Sequence, residues 1–214
     1  MSNVANPYSL PPLIVVLGPT ASGKSALGIA LAQRFQGEIV SADSRQVYRS
    51  LDIGTAKVTL EEQALIPHHL LDVADPHEIY TVSQFQRQAI AAINDILARG
   101  RQPFLVGGSP HYIQAVVDHL DIPRVPPQPE LRRQLEAHPL SELVAQLQEL
   151  DPESAATIDR NNPRRVIRAL EVCLVTGRPF SQQRAVAAPV YRSLLLGPEW
   201  PRDVLYRRID VRVD

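Results

Sequence analysis

One cysteine, Cys173, among 214 residues leaves no partner for an internal disulfide, and no Cys/His spacing suggests a zinc site. No apolar run is long enough to cross a bilayer. The first dozen residues, MSNVANPYSLPP, lack the basic start and long apolar core of a secretory signal. Neither sign of charge is in excess: 22 Lys and Arg stand against 23 Asp and Glu, a net charge of −1. Any nucleic-acid signature therefore has to be local. Internal repeats and low-complexity tracts are also missing. These absences point to a cytoplasmic protein in a reducing compartment, with no membrane association; a monomer is expected. What is present agrees with a folded globular chain, 44% hydrophobic and 21% charged. The length suits one buried core plus an appendage rather than two full domains.

Leu13–Leu17 is an unbroken apolar run ending in glycine, as expected of a strand buried on both faces of a parallel sheet. Lys24 to Phe35 reads as a helix with Leu27, Ala30 and Leu31 on one face. Glu38–Ala42 reads as a second short strand, and Gln84–Arg99 as a helix with Phe85, Ala89, Ile93 and Ile96 or Leu97 inward. Pro103–Val106 reads as a third strand running into Gly107-Gly108. This alternation predicts an α/β fold, a phosphate-loop-type parallel sheet flanked by helices, with ligands at the carboxyl ends of the strands. The segment DIPRVPPQP, residues 121–129, breaks the rhythm with four prolines and marks a helical insertion. Within it Pro139–Leu150 and Pro163–Thr176 read as helices, the second with Asn162 as N-cap, Pro163 in the first turn and Gly177 just past the end. Ser193–Gly197 reads as a returning strand and Asp203–Asp214 as a last helix. The expected division is a flexible leader at 1–12, a core at 13–120, a helical insertion at 121–190, and a return to the core at 191–214.

Gly18-Pro19-Thr20-Ala21-Ser22-Gly23-Lys24-Ser25 matches G-x-x-x-x-G-K-[ST], after a strand and before a helix. The glycines let the backbone wrap an anion so that successive N–H groups and the helix N-terminus face phosphate oxygens. Lys24 adds a mobile charge, and the Ser25 hydroxyl can hold Mg²⁺. A nucleoside triphosphatase would also show an acid after a later apolar strand. Here the third strand runs into Gly107-Gly108-Ser109, and the acid instead follows the second strand, at Asp43.

From Asp43 onward the stretch Ala42-Asp43-Ser44-Arg45-Gln46-Val47-Tyr48-Arg49-Ser50-Leu51-Asp52-Ile53-Gly54-Thr55-Ala56-Lys57 resembles the signature of the tRNA dimethylallyltransferase family. Further matches are Pro67-His68-His69-Leu70-Leu71-Asp72, Val82-Ser83-Gln84-Phe85, Gly107-Gly108-Ser109, Arg168-Ala169-Leu170-Glu171-Val172 and Leu205-Tyr206-Arg207-Arg208-Ile209. The resemblance implies dimethylallyl diphosphate and the anticodon arm of tRNA as substrates, and prenylation of the N6 amine of an adenosine beside the anticodon. It assigns the diphosphate to residues 18–25 with Arg208, Thr20 lying beside it, and Asp43 and Lys24 to catalysis. tRNA contact is implied for Asp43, Ser44, Arg45, Gln46, Ser109, Arg132, Arg164, Arg165, Val166, Ile167 and Arg168. Arg164, Arg165 and Arg168 also recur at helical spacing, a cationic stripe suited to phosphate contact.

The sequence departs from the family pattern at Pro110-His111-Tyr112 and at Asp118-His119-Leu120, where a Gly-Leu ending is usual. It also stops at Asp214, inside a helix, where family members continue, so the resemblance implies a C-terminally truncated chain. Three other activities stay open: an adenylate isopentenyltransferase acting on free nucleotides, a small-molecule kinase, and a remnant that binds diphosphate without efficient tRNA modification. Plainer readings also stand for single residues. His68 and His69 suit hydrogen bonding, Cys173 a buried apolar position, the arginines a solvated face, and Asp43 a cap after a strand.

Overall fold

The computed structural model describes residues 10–123, 125–183 and 188–213. Most of the expected leader lies outside the described residues. They fall into two compact units, one of residues up to 119 together with those from 188 onward, the other of residues 120–187.

The first unit is an α/β sandwich around five parallel strands: β1 (Pro12–Leu17), β2 (Gly37–Ser41), β3 (His68–His69), β4 (Gln102–Gly107) and β5 (Arg192–Leu196). Their order across the sheet is β3-β2-β4-β1-β5. β1 begins a residue earlier than expected, with Pro12 at the strand's first position, where its missing N–H costs no ladder bond. The carbonyl of Pro11 already accepts from the N–H of Arg192 at 2.9 Å. Successive residues of β1 and β4 face opposite sides of the sheet. Leu13, Val15 and Leu105 join a core with Phe85, Ala89, Ile93 and Ile96 of α3 (Val82–Ala98). Val16, Phe104 and Val106 join a second core with Ile29 and Ala32 of α1 (Lys24–Arg34).

The buried face of α1 differs from the expected one. Gly28, Ile29 and Ala32 are buried, Leu27 and Leu31 are half-buried, and Ala30 is exposed. The reason is Gly28, where a Cβ would meet the Val106 side chain at 2.9 Å, so the helix turns its smallest residue to the sheet. α3 starts two residues before the expected point because Thr81 caps it, accepting from the N–H of Gln84 while Gln84 returns a bond to the Thr81 backbone. α2 (Leu60–Leu65) is capped in the same way by Thr59 and Glu62. After α4 (Pro110–Val117), His119 takes a φ of 45°, a left-handed conformation that a glycine adopts without strain.

β3, two residues long, was not expected. Its His69 Nε2 donates to the Glu38 carboxylate at 2.7 Å, and Glu38 also accepts a 2.9 Å bond from the Arg99 guanidinium. Glu38 is buried, and its bonds to Arg99 and His69 outweigh the burial that opposes them, holding the carboxyl at about 2 instead of 4.5. The folded-state value lies below the unfolded one, so Glu38 stabilises the fold above about pH 4.5 and loses that contribution as pH falls towards 2. We expect Glu38→Gln to remove on the order of 2–3 kcal/mol at neutral pH and the deficit to shrink steadily below pH 4.5, read from urea midpoints against pH. A deficit independent of pH would show that charge is not what Glu38 contributes.

The second unit is helical: α5 (Pro129–Glu136), α6 (Leu140–Leu150), α7 (Pro152–Thr157) and α8 (Pro163–Thr176). α8 has the expected ends: Asn162 caps it and Gly177 closes it at φ 66°. Its apolar face packs Val166, Ile167, Leu170 and Cys173 against Leu135, Leu143 and Leu147. Cys173 is a buried apolar residue whose thiol pKa burial pushes up. A 3₁₀ turn at Ser181–Gln183 is tied to the start of α7 through Asp151, which accepts from the Ser181 N–H at 2.8 Å.

Candidate active site

The loop between β1 and α1 turns on Gly23, whose φ of 91° is strained for any residue with a side chain. Ser22 is buried against Gly18, and α1 begins at once with Lys24, so its first-turn N–H groups, which have no intrahelical partners, face the concave side. Lys24 donates to the Pro19 carbonyl at 3.3 Å. Burial lowers the pKa of its ammonium, opposed by the charge of Asp43 and reinforced by Arg212.

Asp43 follows β2, and its Oδ1 accepts from the N–H groups of Arg45 at 2.9 Å and Gln46 at 3.4 Å. It therefore caps the following turn, yet it also lines a cavity of about 490 Å³ together with Thr20, Lys24, Ser25, Arg45 and Gln46. The end of β4 holds this turn in place. The Ala42 N–H donates to Val106 at 2.8 Å, and a Cβ on Gly107 would lie 2.1 Å from the Ala42 carbonyl oxygen, so only glycine fits there. Ser109 accepts from the Ser44 N–H at 2.9 Å, bracing the backbone next to Asp43. Beneath it the Tyr112 ring stacks on Phe85 at 4.0 Å, and burial pushes its phenol up to about 12.

α9 (Arg202–Val213) lies on the other side of the loop. Arg208 Nε donates to the Ala21 carbonyl at 2.8 Å, and its guanidinium stacks 4.7 Å from the Trp200 ring centre. Trp200 Nε1 in turn donates to the Ser22 carbonyl at 2.8 Å. Sequence reasoning missed Trp200 and Arg212. Arg212 lines both the Asp43 cavity and a second cavity of about 680 Å³ bounded by Gly23, Lys24, Arg207 and Arg208. Its signal was present, because it lies four residues after Arg208 on one helix. His68 lines the first cavity, and its ring bonds the Ile66 carbonyl at 2.7 Å. Among the described residues no three or more His, Cys, Asp or Glu side chains cluster as metal ligands.

Several residues expected to meet RNA have other occupations. Val166 and Ile167 are buried in the second unit's core, so their side chains are not available. Arg132 and Arg168 are bound to the fully buried Glu171: Arg132 reaches it at 2.8 and 2.9 Å, and Arg168 at 2.5 Å. Of the expected stripe, Arg164 and Arg165 are exposed and Arg168 is half-buried. Gln46 spends its amide on the carbonyls of Thr55 at 3.3 Å and Ala56 at 3.1 Å.

Comparison with known proteins fits this geometry to a family. The IPP transferase family profile matches residues 46–214. A tRNA dimethylallyltransferase of Roseiflexus sp. (strain RS-1) is 53% identical over 207 residues, covering 95% of this chain and 68% of the relative. One of Chloroflexus aggregans is 52% identical over 206 residues, covering 94% of this chain and 70% of the relative. Among solved structures, the full-length tRNA isopentenylpyrophosphate transferase of Bacillus halodurans is 42% identical with a TM-score of 0.64, covering 95% of this chain and 65% of that one. A eukaryotic dimethylallyltransferase acting on tRNA is 33% identical with a TM-score of 0.81, covering 95% of this chain and 52% of that one. This chain therefore spans about two thirds of the curated relatives' length. With 169 of its residues inside the family profile and half of its positions shared with these relatives, the chain belongs to the IPP transferase family.

Proposed function

We propose that the protein transfers a dimethylallyl group from dimethylallyl diphosphate to the exocyclic N6 amine of an adenosine next to the anticodon in tRNA. The observation that carries this is the shared cavity of Asp43, Lys24, Thr20 and Ser25, in a chain whose relatives are named for that transfer. An adenine amine is a weak nucleophile. As its nitrogen bonds to the allylic carbon, the carbon–oxygen bond to the diphosphate breaks and the amine proton passes to the Asp43 carboxylate. Negative charge gathers on the departing diphosphate. The N–H groups of Gly18 and residues 20–25, the Lys24 ammonium and the Arg208 guanidinium are suited to receive it. Pro19 and Ala21 shape the loop backbone, and their carbonyls bind Lys24 and Arg208. The reading favours diphosphate departure over phosphoryl transfer because the acid follows β2 and none follows β4.

Mg²⁺ belongs to the same proposal. The Ser25 hydroxyl is a hard oxygen donor in the cavity wall, which fits an ion that completes its shell with water and diphosphate oxygens and would neutralise charge on the leaving group. Ser44, Arg45, Ser109, Arg164 and Arg165 stand as the residues proposed to meet tRNA. Because the target base stacks in the anticodon arm, it has to be extruded to reach Asp43.

Lys24→Ala tests the assignment. Prenyl transfer should fall by roughly two to three orders of magnitude, as when one preorganised charge donor is lost, with the unfolding midpoint unchanged. Transfer at the wild-type rate would remove the diphosphate from this loop.

A further inference from the structure

Residues 53–56, in the loop that runs from Ser50 to Lys57, border the cavity and take no part in the chemistry just described. Ser50 and Ala56 have φ values of 62° and 45°, and on the adjoining segment Leu70 and Asp72 have 63° and 56°. Each such conformation is strained for a residue with a side chain, and it persists only where the surroundings impose it. Lys57 ties the two segments together. Its side chain is 4% exposed, and its ammonium donates to the Tyr48 carbonyl at 2.8 Å, to Asp52 at 2.7 Å and to Asp72 at 2.5 Å. Gln46 holds the carbonyls of Thr55 and Ala56, and the Thr55 hydroxyl folds back onto the Leu51 carbonyl at 2.5 Å. The loop is a pinned element.

At its tip stands Ile53, 96% exposed while lining the same cavity as Asp43 and Lys24. A side chain that borders a cavity yet keeps nearly all its accessible surface sits at the mouth. It has no packing role in the free protein, although burying an isoleucine side chain is favourable. A small chain held within the cavity needs enclosed walls, whereas a side chain at the mouth meets what arrives from outside. Extruding a nucleobase leaves a gap in the stack, and apolar side chains such as isoleucine fill gaps of this kind in nucleic acids. Arg45, exposed on the same wall, supplies a cation for the accompanying phosphate.

We propose that Ile53 is a specificity-determining contact that packs against the RNA bases flanking the extruded adenosine, and that Lys57 is the positioning residue that holds it there. This rests on the tRNA reading above. The test uses an anticodon stem-loop RNA with 2-aminopurine at the target position, whose fluorescence rises when the base leaves the stack, beside steady-state prenylation of the unlabelled stem-loop. With wild type the fluorescence should rise on binding. Ile53→Ala should lose most of the rise and raise KM for the RNA roughly tenfold, the lower end of what a base-contacting side chain is worth. KM for dimethylallyl diphosphate should not change, and Ile53→Leu should restore both RNA readouts. Lys57→Met should reproduce the alanine pattern. The Ile53 variants carry the test, because no core depends on that side chain. Wild-type fluorescence and RNA KM with Ile53→Ala would overturn this proposal alone. No fluorescence rise and no prenylation with wild type would overturn the tRNA reading and this inference with it.

Discussion

Replacing Asp43 with asparagine is expected to lower the single-turnover rate of prenyl transfer by about 10²–10⁴, the range typical of losing a general base, while RNA affinity changes by no more than about threefold. The separation follows from the two occupations of the side chain. Oδ1 already accepts from the N–H groups of Arg45 and Gln46, and an amide oxygen does the same, so the turn after β2 survives. The bond from the Ser44 N–H to Ser109 and the close approach of Gly107 to Ala42 hold that turn independently. What asparagine does not provide is a group that takes the amine proton. Rate and affinity falling together would make Asp43 a binding residue and leave the proton acceptor unassigned.

Glu171→Ala should destabilise the helical unit by about 3 kcal/mol, the lower end for breaking a buried ion pair, because both arginine partners keep some access to water. The carboxylate is fully buried and accepts from the Gln128 N–H at 2.7 Å as well as from Arg132 and Arg168. Burial alone would raise its pKa, but Arg132, the Gln128 N–H and Arg168 together bring it below the ordinary value. The triple variant Arg132→Met, Arg168→Met, Glu171→Leu should recover most of the loss, since apolar side chains of similar volume leave no unpaired charge. Urea midpoints decide it. A loss in Glu171→Ala under about 1 kcal/mol would mean that the ion cluster does not hold α5 to α8.

The parts of the fold legible in the sequence are those set by local rules. β1 and β4 follow from apolar runs, and both ends of α8 follow from Asn162, Pro163 and Gly177. The loop Gly18–Ser25 and Asp43 follow from residue types at fixed spacing. What stayed hidden depends on contacts between distant positions. Periodicity chose Ala30 for the inner face of α1, and only the Val106 side chain explains why Gly28 takes that place. β3 is two histidines with no strand pattern of their own, paired because β2 offers Ile39 and Val40 as register partners. Arg132 was expected to meet RNA, whereas its partner Glu171 lies 39 positions away. Lys57 stood inside a recognised motif, but its partner Asp72 lies 15 residues on, so its part in shaping the loop could not be seen.

The strand order β3-β2-β4-β1-β5 also works as a ruler. β4 separates β1, which leads into the loop of residues 18–25 proposed to hold the diphosphate, from β2, which leads to Asp43, so the two ends stand two strand spacings apart, roughly 10 Å. In-line displacement at an allylic carbon needs room for the incoming nitrogen on one side and the departing oxygen on the other, with the phosphates beyond. Were β1 and β2 adjacent, the acid would crowd the phosphates and repel them. Were another strand placed between them, the amine held by Asp43 would fall short of the carbon. On the proposed chemistry the middle strand sets the length over which the group travels, and Gly108 just past its end, where a Cβ would lie 3.4 Å from Lys24 Cε, adds no side chain beside the loop.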